Sequence, residues 1–234
     1  MLDKLKWTYF DENGYVHIKN FIEMENIRPA KNECIRIANN IPTNAYVEYE
    51  FIQNKAPKMI RKIRRIFWTN EMFWKNFLNK SGIASLIKKR IGKGATLIYN
   101  AAFFKRALFG GEIAPHQDQS LWEYYYPNAI NVWVPLDKAT RDNGCIYGYK
   151  KSHLEAIHHI NDTAYKWHQT IPPSLLLGEI VYIPANPGDI IIWHSHFVHG
   201  STKNTSSENR LGVVFVFADS KEPNFRAKDS FHIA

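Results

Sequence analysis

A histidine and an aspartate one residue apart, His116 and Asp118, are the first side chains in this sequence that could hold a metal ion. In an extended chain, residues two positions apart point to the same face, so both side chains can reach one ion. One imidazole and one carboxylate are two of the three ligands in the two-histidine, one-carboxylate arrangement. That arrangement leaves positions on Fe(II) for a chelating cosubstrate and O2. A lone His-x-Asp is not specific, because short motifs also occur by chance.

A third ligand is expected from the histidine-rich stretch 188–201, which is typical of a buried strand opened by a Pro-Gly-Asp turn. His194 and His196 share one face of such a strand, whereas His199 falls on the other face or just past a bend. A histidine at a strand end beside Gly and Ser is better placed for a metal than one in mid-strand. Hydrogen-bonded wall histidines are the simpler reading of His194 and His196. Composition alone does not decide among the three.

An arginine, Arg210, stands where a polar loop becomes an apolar strand. A guanidinium entering a barrel interior needs a partner, because a buried unpaired charge is costly. The distal carboxylate of 2-oxoglutarate is a suitable partner, since guanidinium binds carboxylates through two parallel hydrogen bonds. An ion pair with a local Asp or Glu is the equal alternative.

Six short runs rich in strand-forming residues follow the Gly-Lys-Gly turn at 92–94. Clusters of Gly, Pro, Asn and Asp separate these runs, and that pattern is typical of a sandwich or a jelly-roll barrel. The runs are 95–104, 129–136, 145–149, 179–183, 189–198 and 211–218. The stretch 151–178 is predicted to be a long, partly helical insertion.

The first quarter of the chain is predicted to be mostly helical after a short opening strand. The strand, at 15–18, follows an Asn-Gly turn. Apolar residues recur at helical spacing over 24–39 and again over 70–90. Within the second of these stretches, Ser81-Gly82 predicts a break between two short helices.

The length of 234 residues suits one domain with a substantial core. We predict a single domain, 1–234, with a mostly helical part at 1–92 and a jelly-roll core at 93–220 that contains the insertion. Hydrophobic residues make up 45% of the chain and charged residues 22%, which argues against disorder. The two cysteines form no CxxC pair, so no zinc or redox motif is predicted, and we expect the reduced thiols of a cytoplasmic protein.

The chain is basic, with a formal net charge of +8, and this balance favours an anionic partner. Its basic clusters at 58–65 and 88–90 are expected to be solvated helix faces, with a binding patch as the alternative. The first residues lack the apolar stretch of a signal peptide, and no apolar run approaches the ~20 residues of a membrane span. A soluble, cytoplasmic protein is therefore predicted, and its oligomeric state is left open.

Several motifs stand in order between residues 100 and 218. They are Phe104-Lys105, the stretches 111–120 and 132–140, Asn143-Gly144-Cys145, Pro187-Gly188-Asp189, His199-Gly200-Ser201, 204–206 and Arg210. Together they resemble the phytanoyl-CoA hydroxylase (PhyH) family of Fe(II)- and 2-oxoglutarate-dependent dioxygenases. The opening stretch 10–16 also resembles the usual start of that family.

The resemblance implies a mainly β fold with flanking helices (α+β) around a double-stranded β-helix, the jelly-roll or cupin-like core. The residues that it assigns to the iron are His116, Asp118 and His199. The residues that it assigns to 2-oxoglutarate are Arg210, Lys105, Trp133 and Ser201. It also implies that Asn143, in the Asn-Gly-Cys turn, shapes the wall of the site.

The activity implied is oxidative decarboxylation of 2-oxoglutarate to succinate and CO2, coupled to hydroxylation or a related C–H oxidation of a small organic substrate. Related halogenases lack the carboxylate ligand, so Asp118 favours hydroxylation. One departure concerns the loop at 149–153, where Ser152-His153 remains but the preceding Pro-Gly of the family is absent. That loop commonly borders the substrate, so no particular substrate is carried over. His153 is expected to fix the loop through a hydrogen bond.

Two other functions compete with this interpretation. The basic charge invites oxidative demethylation of nucleic acid, but no second arginine closely follows Arg210, as nucleic-acid repair dioxygenases usually show. A non-enzymatic, metal-binding barrel would be indicated by a missing ligand, and none is missing. We therefore expect a small-molecule substrate rather than nucleic acid. A specialised metabolite, or a substrate that is anionic or carrier-linked, would suit the chain.

Overall fold

The structure is a computed structural model that describes residues 4–50, 59–126, 128–161 and 169–233. Its helices are α1 (Lys4–Asn13), α2 (Met24–Asn39), α3 (Ile66–Thr69), α4 (Glu71–Lys80) and α5 (Ile83–Ile91). Its strands are β1 (Tyr15–Ile18), β2 (Tyr46–Glu50), β3 (Met59–Arg64), β4 (Ala95–Lys105), β5 (Ile113–His116), β6 (Ile130–Pro135), β7 (Ile146–Tyr149), β8 (Ile160–Asn161), β9 (Gln169–Thr170), β10 (Ile180–Ile183), β11 (Ile190–His194), β12 (His199–Ser201), β13 (Arg210–Asp219) and β14 (Phe231–His232).

Two antiparallel sheets form the β core. The larger has the order β1-β11-β6-β13-β4-β3-β2, with β14 also paired to β4, and the smaller has the order β10-β7-β12-β5. Strands far apart in sequence are therefore neighbours, as jelly-roll connections require. The predicted fold is confirmed, with two facing sheets rather than one closed barrel.

The two faces of the larger sheet have different partners, and β13 shows the division most clearly. Phe215 packs against the α4 rings of Trp74 and Phe77, with centroids 5.8 and 6.0 Å apart. Its neighbours Val214 and Val216 line a cavity between the sheets. Because side chains alternate across a strand, one set builds the helix-packed core and the other set builds the cavity wall.

Most predicted elements are present, including the helix at 24–39 and the break between α4 and α5. The helical reading of the first quarter was incomplete, because α1 precedes the opening strand and β2 and β3 follow α2. The cluster at 58–65 is thus not a solvated helix face where the structure describes it.

The insertion contains 3-10 turns at Ser152–Leu154 and Pro173–Leu175, together with the hairpin β8–β9. Its residues 162–168 lie outside the described ranges.

Candidate active site

Three side chains from two neighbouring strands meet at one end of the cavity. His116 ends β5 and lies opposite His199, the first residue of β12. Asp118 begins the 3-10 turn that follows β5. Oδ1 of Asp118 lies 3.5 Å from Nε2 of His116, and Oδ2 lies 3.7 Å from Nε2 of His199. The three potential ligand atoms all lie within 4.8 Å of one another, so they can hold one metal ion.

Backbone contacts orient both imidazoles toward this point. Nδ1 of His116 lies 2.8 Å from the carbonyl oxygen of Ala114, and Nδ1 of His199 lies 3.0 Å from that of Phe197. Each Nδ1–H can donate to its carbonyl, which leaves the Nε2 lone pair for a metal. Such an outer contact fixes both the tautomer and the ring orientation, as is common for histidine ligands.

The electrostatics of the cluster suit metal ligation. Burial lowers the pKa of His199 to about 4, although the Asp118 carboxylate acts in the opposite direction. Burial alone would raise the pKa of Asp118, but His199, His116 and the Trp193 indole N–H hold that pKa below its usual value. A neutral imidazole and an ionised carboxylate are the protonation states that bind Fe(II).

A turn brings His199, rather than His194, to the candidate ligands His116 and Asp118. The strand β11 ends at His194, and the amide of Phe197 donates to the His194 carbonyl at 2.8 Å. The chain then enters the smaller sheet at His199, which brings that side chain to His116 and Asp118. His194 instead accepts the amide N–H of His196 at its own Nδ1, at 3.1 Å.

His153 fixes its loop, as expected. Its Nε2 lies 3.0 Å from the carbonyl oxygen of Asp11, and its ring packs 5.6 Å from that of His194. These contacts tie the loop after β7 to the segment around α1.

The cavity has a volume of about 470 Å³, within the ~300–1,000 Å³ of typical small-molecule sites. Of the residues predicted to contact the cosubstrate, Trp133, Ser201 and Arg210 line it. Arg210 begins β13 and is 2% exposed. It donates from one terminal nitrogen to the carbonyl of Gly144 at 2.8 Å, and its guanidinium carbon lies 5.0 Å from the centre of the Trp133 ring.

Arg210 retains hydrogen-bonding capacity toward the cavity. Its Nε is buried and has no hydrogen-bond partner among the described residues, and the same holds for Oγ of Ser201 and Nδ2 of Asn131. No ion pair of the described residues includes Arg210. Burial lowers its pKa to about 10, so it stays cationic at neutral pH. Buried polar groups normally find partners, and these three fit an oxygen-rich anion such as 2-oxoglutarate.

Lys105, the fourth predicted cosubstrate residue, lies behind this wall. It pairs with Arg210 across β4 and β13, but it is absent from the lining of the cavity. Its ammonium group donates to the carbonyls of Gly111, at 2.7 Å, and of Thr202. Burial, with Arg210 nearby, holds the pKa of Lys105 well below its usual value. The structure thus places Lys105 among the backbone carbonyls next to Ser201 rather than in the cavity.

Asn143 shapes the wall through the backbone. Its Oδ1 accepts the amide N–H of Thr140 at 2.7 Å, and its Nδ2 donates to the Lys138 carbonyl at 2.8 Å. This closed turn positions the following Gly144, whose carbonyl receives Arg210.

Sequence reasoning missed several lining residues. They are Asn131, Trp193, Glu48, Arg61, Lys62 and Arg64. Asn131 lies opposite Trp193 across β6 and β11, and both face the cavity. Asn131 is the polar residue in the otherwise apolar run 130–135, and this exception was the available signal for it. The basic residues were noticed, but as part of a helix.

The comparisons with known proteins agree with this geometry. The family model of phytanoyl-CoA dioxygenase (PhyH) matches residues 10–212, which is most of the chain. Phytanoyl-CoA dioxygenase 1 of Oryza sativa subsp. japonica is 22% identical over 246 residues, covering 91% of this chain and 88% of the rice protein. A phytanoyl-CoA dioxygenase of Arabidopsis thaliana is 27% identical over 161 residues, and the match spans 67% of this chain and 56% of that protein.

Solved structures share the fold at low identity. EctD from S. alaskensis superposes with a TM-score of 0.77 at 16% identity, covering 97% of this chain and 80% of that one. The epimerase SnoN from nogalamycin biosynthesis has a TM-score of 0.75 at 18% identity, covering 93% of this chain and 83% of that one. The jelly-roll fold and the three-ligand cluster together are the features of the oxygenase class. The chain belongs to the phytanoyl-CoA dioxygenase family, as its motifs predicted, and the prediction of a dioxygenase is confirmed.

Proposed function

We propose that this protein binds Fe(II) at His116, Asp118 and His199 and couples decarboxylation of 2-oxoglutarate to hydroxylation, or a related C–H oxidation, of a small organic substrate. The observation that carries the proposal is the placement of the three-ligand cluster and of Arg210 in the wall of one cavity. EctD was solved with bound Fe, and SnoN is described as alpha ketoglutarate dependent. These neighbours support the same chemistry for this protein.

In this reaction the protein binds the substrate and the cosubstrate, orients them and excludes water. Bound iron supplies the oxidative chemistry with O2 and 2-oxoglutarate. His116, Asp118 and His199 would hold the metal at the cavity wall, and Fe(II) bound by this set of ligands would keep open positions for the cosubstrate. Arg210, whose guanidinium lies over the Trp133 ring, would bind the distal carboxylate of 2-oxoglutarate, and the Ser201 hydroxyl in the same cavity would offer a further hydrogen bond.

The remaining walls hold the substrate against the reacting centre. Apolar side chains from both sheets, including Ile113, Ile146, Val214 and Val216, line the cavity. An apolar wall of this kind excludes water and so strengthens the polar contacts made inside the cavity. By orienting one C–H bond toward the metal, such a wall would contribute to the rate.

Arg61, Lys62 and Arg64 line the cavity, so a ligand must enter the cavity to contact them there. This favours a small-molecule substrate over a nucleic acid. Within the described residues, no helix combines the length and apolarity that crossing a bilayer demands. Cys34 and Cys145 are both free and buried, which supports the proposal of a reducing, cytoplasmic location.

The test is to add Fe(II) and then 2-oxoglutarate to the purified protein without oxygen and to record the visible spectrum. We expect a charge-transfer band that requires both additions. His199→Ala should abolish the band by removing a ligand, whereas Arg210→Ala should shift the 2-oxoglutarate titration to much higher concentration. A well-folded protein that binds no iron would overturn the proposal.

A further inference from the structure

One wall of the cavity is cationic, and it comes from the hairpin β2–β3 at the edge of the larger sheet. Arg61, Lys62 and Arg64 all line the cavity, as does Glu48. None of these four belongs to the metal cluster or to the Arg210 end described above. They form the cationic wall, and nothing in the proposed chemistry yet uses it.

A β-bulge puts these side chains on the same face. Lys62 pairs with Glu48, but the next pair joins Ile60 to Tyr49, so Arg61 is an extra residue on β3. Ile60 and Ile63 pack on the helix side, while Arg61 and Lys62 between them both face the cavity. Bulges of this kind re-aim side chains beside functional sites.

The carboxylates near the wall do not neutralise it. Arg61 lies 3.6 Å from Glu50 and donates to the Glu112 carbonyl at 3.2 Å, so this arginine is satisfied. Lys62 and Arg64 share a single oxygen, Oε1 of Glu48, at 3.5 and 3.3 Å respectively.

One carboxylate between two cations leaves one positive charge in excess. Lys62 is 18% exposed and Arg64 is 44% exposed, which places Arg64 nearer the mouth of the cavity. The centre of the Tyr46 ring lies 5.5 Å from the guanidinium carbon of Arg64, a cation–π contact.

The excess charge remains when the cosubstrate is bound. Fe(II) with Asp118 carries one net positive charge, and Arg210 carries another. The two carboxylates of 2-oxoglutarate balance these two charges. The positive charge shared by Lys62 and Arg64 is then left for a further ligand, and an anion is the ligand that such a site favours.

We propose that the substrate is a small organic carboxylate, whose carboxylate binds Arg64 on the cationic wall while its apolar body runs past Leu121 and Trp122 toward the metal. Both of these residues line the cavity, and the 3-10 turn that begins at Asp118 ends at Leu121. A guanidinium at the mouth offers two parallel donors to a carboxylate. This inference rests on the proposed function, because it needs the metal and 2-oxoglutarate in place.

The experiment is calorimetric titration, without oxygen, of protein saturated with Fe(II) and 2-oxoglutarate. Saturating 2-oxoglutarate occupies the Arg210 end, so an added acid must bind elsewhere. The probes are matched pairs: 3-phenylpropanoate with its primary amide, and indole-3-acetate with its primary amide. We expect at least one acid to bind about ten times more tightly than its amide, a difference of about 1.4 kcal/mol.

Two variants of the wall should act in opposite directions. Arg64→Gln should remove the preference for the acid, whereas Glu48→Gln should increase it, because the acid then no longer competes with a carboxylate. Arg28→Gln removes the same charge from an exposed position on α2 and should change nothing. The affinity for 2-oxoglutarate, measured first for every variant, reports that the site is folded.

Equal binding of acid and amide, no binding of either acid, or an Arg64→Gln variant that behaves like Arg28→Gln would each overturn the inference. Failure of the proposed function is seen separately, since 2-oxoglutarate would then not bind to the Fe(II)-loaded protein at all.

Discussion

The indole N–H of Trp193 donates to Oδ2 of Asp118 at 2.8 Å, so a residue of the larger sheet orients a carboxylate that follows the smaller one. The other oxygen of Asp118 faces His116. The Trp193 ring also lies 4.7 Å from the His199 ring. One tryptophan of the larger sheet therefore contacts two of the three candidate ligands.

Trp193→Phe should weaken Fe(II) binding about 10- to 100-fold, because it keeps an aromatic ring but removes the hydrogen bond that orients Asp118. Calorimetric titration with the metal alone measures this change. Trp7→Phe is the matched control, since Trp7 packs against Arg90 away from the cavity. An unchanged dissociation constant for Trp193→Phe would show that the other contacts suffice to orient Asp118.

Arg210→Lys should raise the dissociation constant of 2-oxoglutarate about 10- to 100-fold, because lysine keeps the charge but loses the planar pair of donors. Iron affinity should stay the same, as Arg210 is not a ligand. The anaerobic charge-transfer band, titrated with 2-oxoglutarate, gives the number, with Arg28→Lys as the exposed control. Wild-type affinity in Arg210→Lys would mean that charge alone anchors the cosubstrate.

Gly212→Ala should destabilise the protein by about 1–3 kcal/mol through overpacking. A Cβ at this position would lie 2.6 Å from three atoms of the Trp133 indole. Displacing Trp133 uncovers Arg210, so 2-oxoglutarate affinity should fall together with the melting temperature. Adding Trp133→Phe, which replaces the bicyclic indole with a smaller single ring, should recover part of the lost stability. If the double variant melts below Gly212→Ala, steric conflict with the indole is not the cause.

Asp189 ties the loop after β1 to the start of β11. It accepts the amide N–H groups of Asn20 and Asn186, both at 2.9 Å, and lies 3.0 Å from Nε2 of His17. Burial raises the pKa of Asp189, but these three contacts outweigh burial and lower it overall. Because the folded pKa lies below the unfolded value of about 3.9, the ionised carboxylate stabilises the fold above about pH 4.

Asp189→Asn should therefore lower the free energy of unfolding by about 1.5–3 kcal/mol at neutral pH. The difference from wild type should shrink as the pH falls through the folded pKa, where the wild type also loses the charge. Urea denaturation at about pH 7 and about pH 3 tests both statements. The exposed Asp142→Asn should match wild type at each pH. A stability gap for Asp189→Asn that widens in acid would mean that the pKa of Asp189 is raised on folding rather than lowered.

The parts of the site that follow a regular period were predictable from the sequence. His116 and Asp118 share a face because the chain there is extended, and α2 appears because its apolar residues recur at helical spacing. His199 could not be chosen by period, since the turn after His194 interrupts the alternation before β12. The family's His-Gly-Ser motif supplied that choice instead.

The cationic wall was missed for a related physical reason. In β3 the bulge breaks the two-residue period, and the strand lies near the sheet edge, where polar side chains on the cavity face mask the apolar signal. The prediction for Lys105 came from a motif, which gives a position in the chain but not the direction of the side chain. Three backbone carbonyls, from Gly111, Ser201 and Thr202, surround its ammonium group.

The bulge at Arg61 also has a consequence for how substrate preference can change during evolution. Deleting one residue there would restore strict alternation and remove one cation from the cavity, while Ile60 and Ile63 kept the same partners in the core. The length of one edge strand, rather than a series of substitutions, would then determine the charge that the cavity presents. Within a family that keeps its iron ligands, a single-codon insertion or deletion could thus shift the net charge of the substrate cavity by one unit while Arg64 stayed in place.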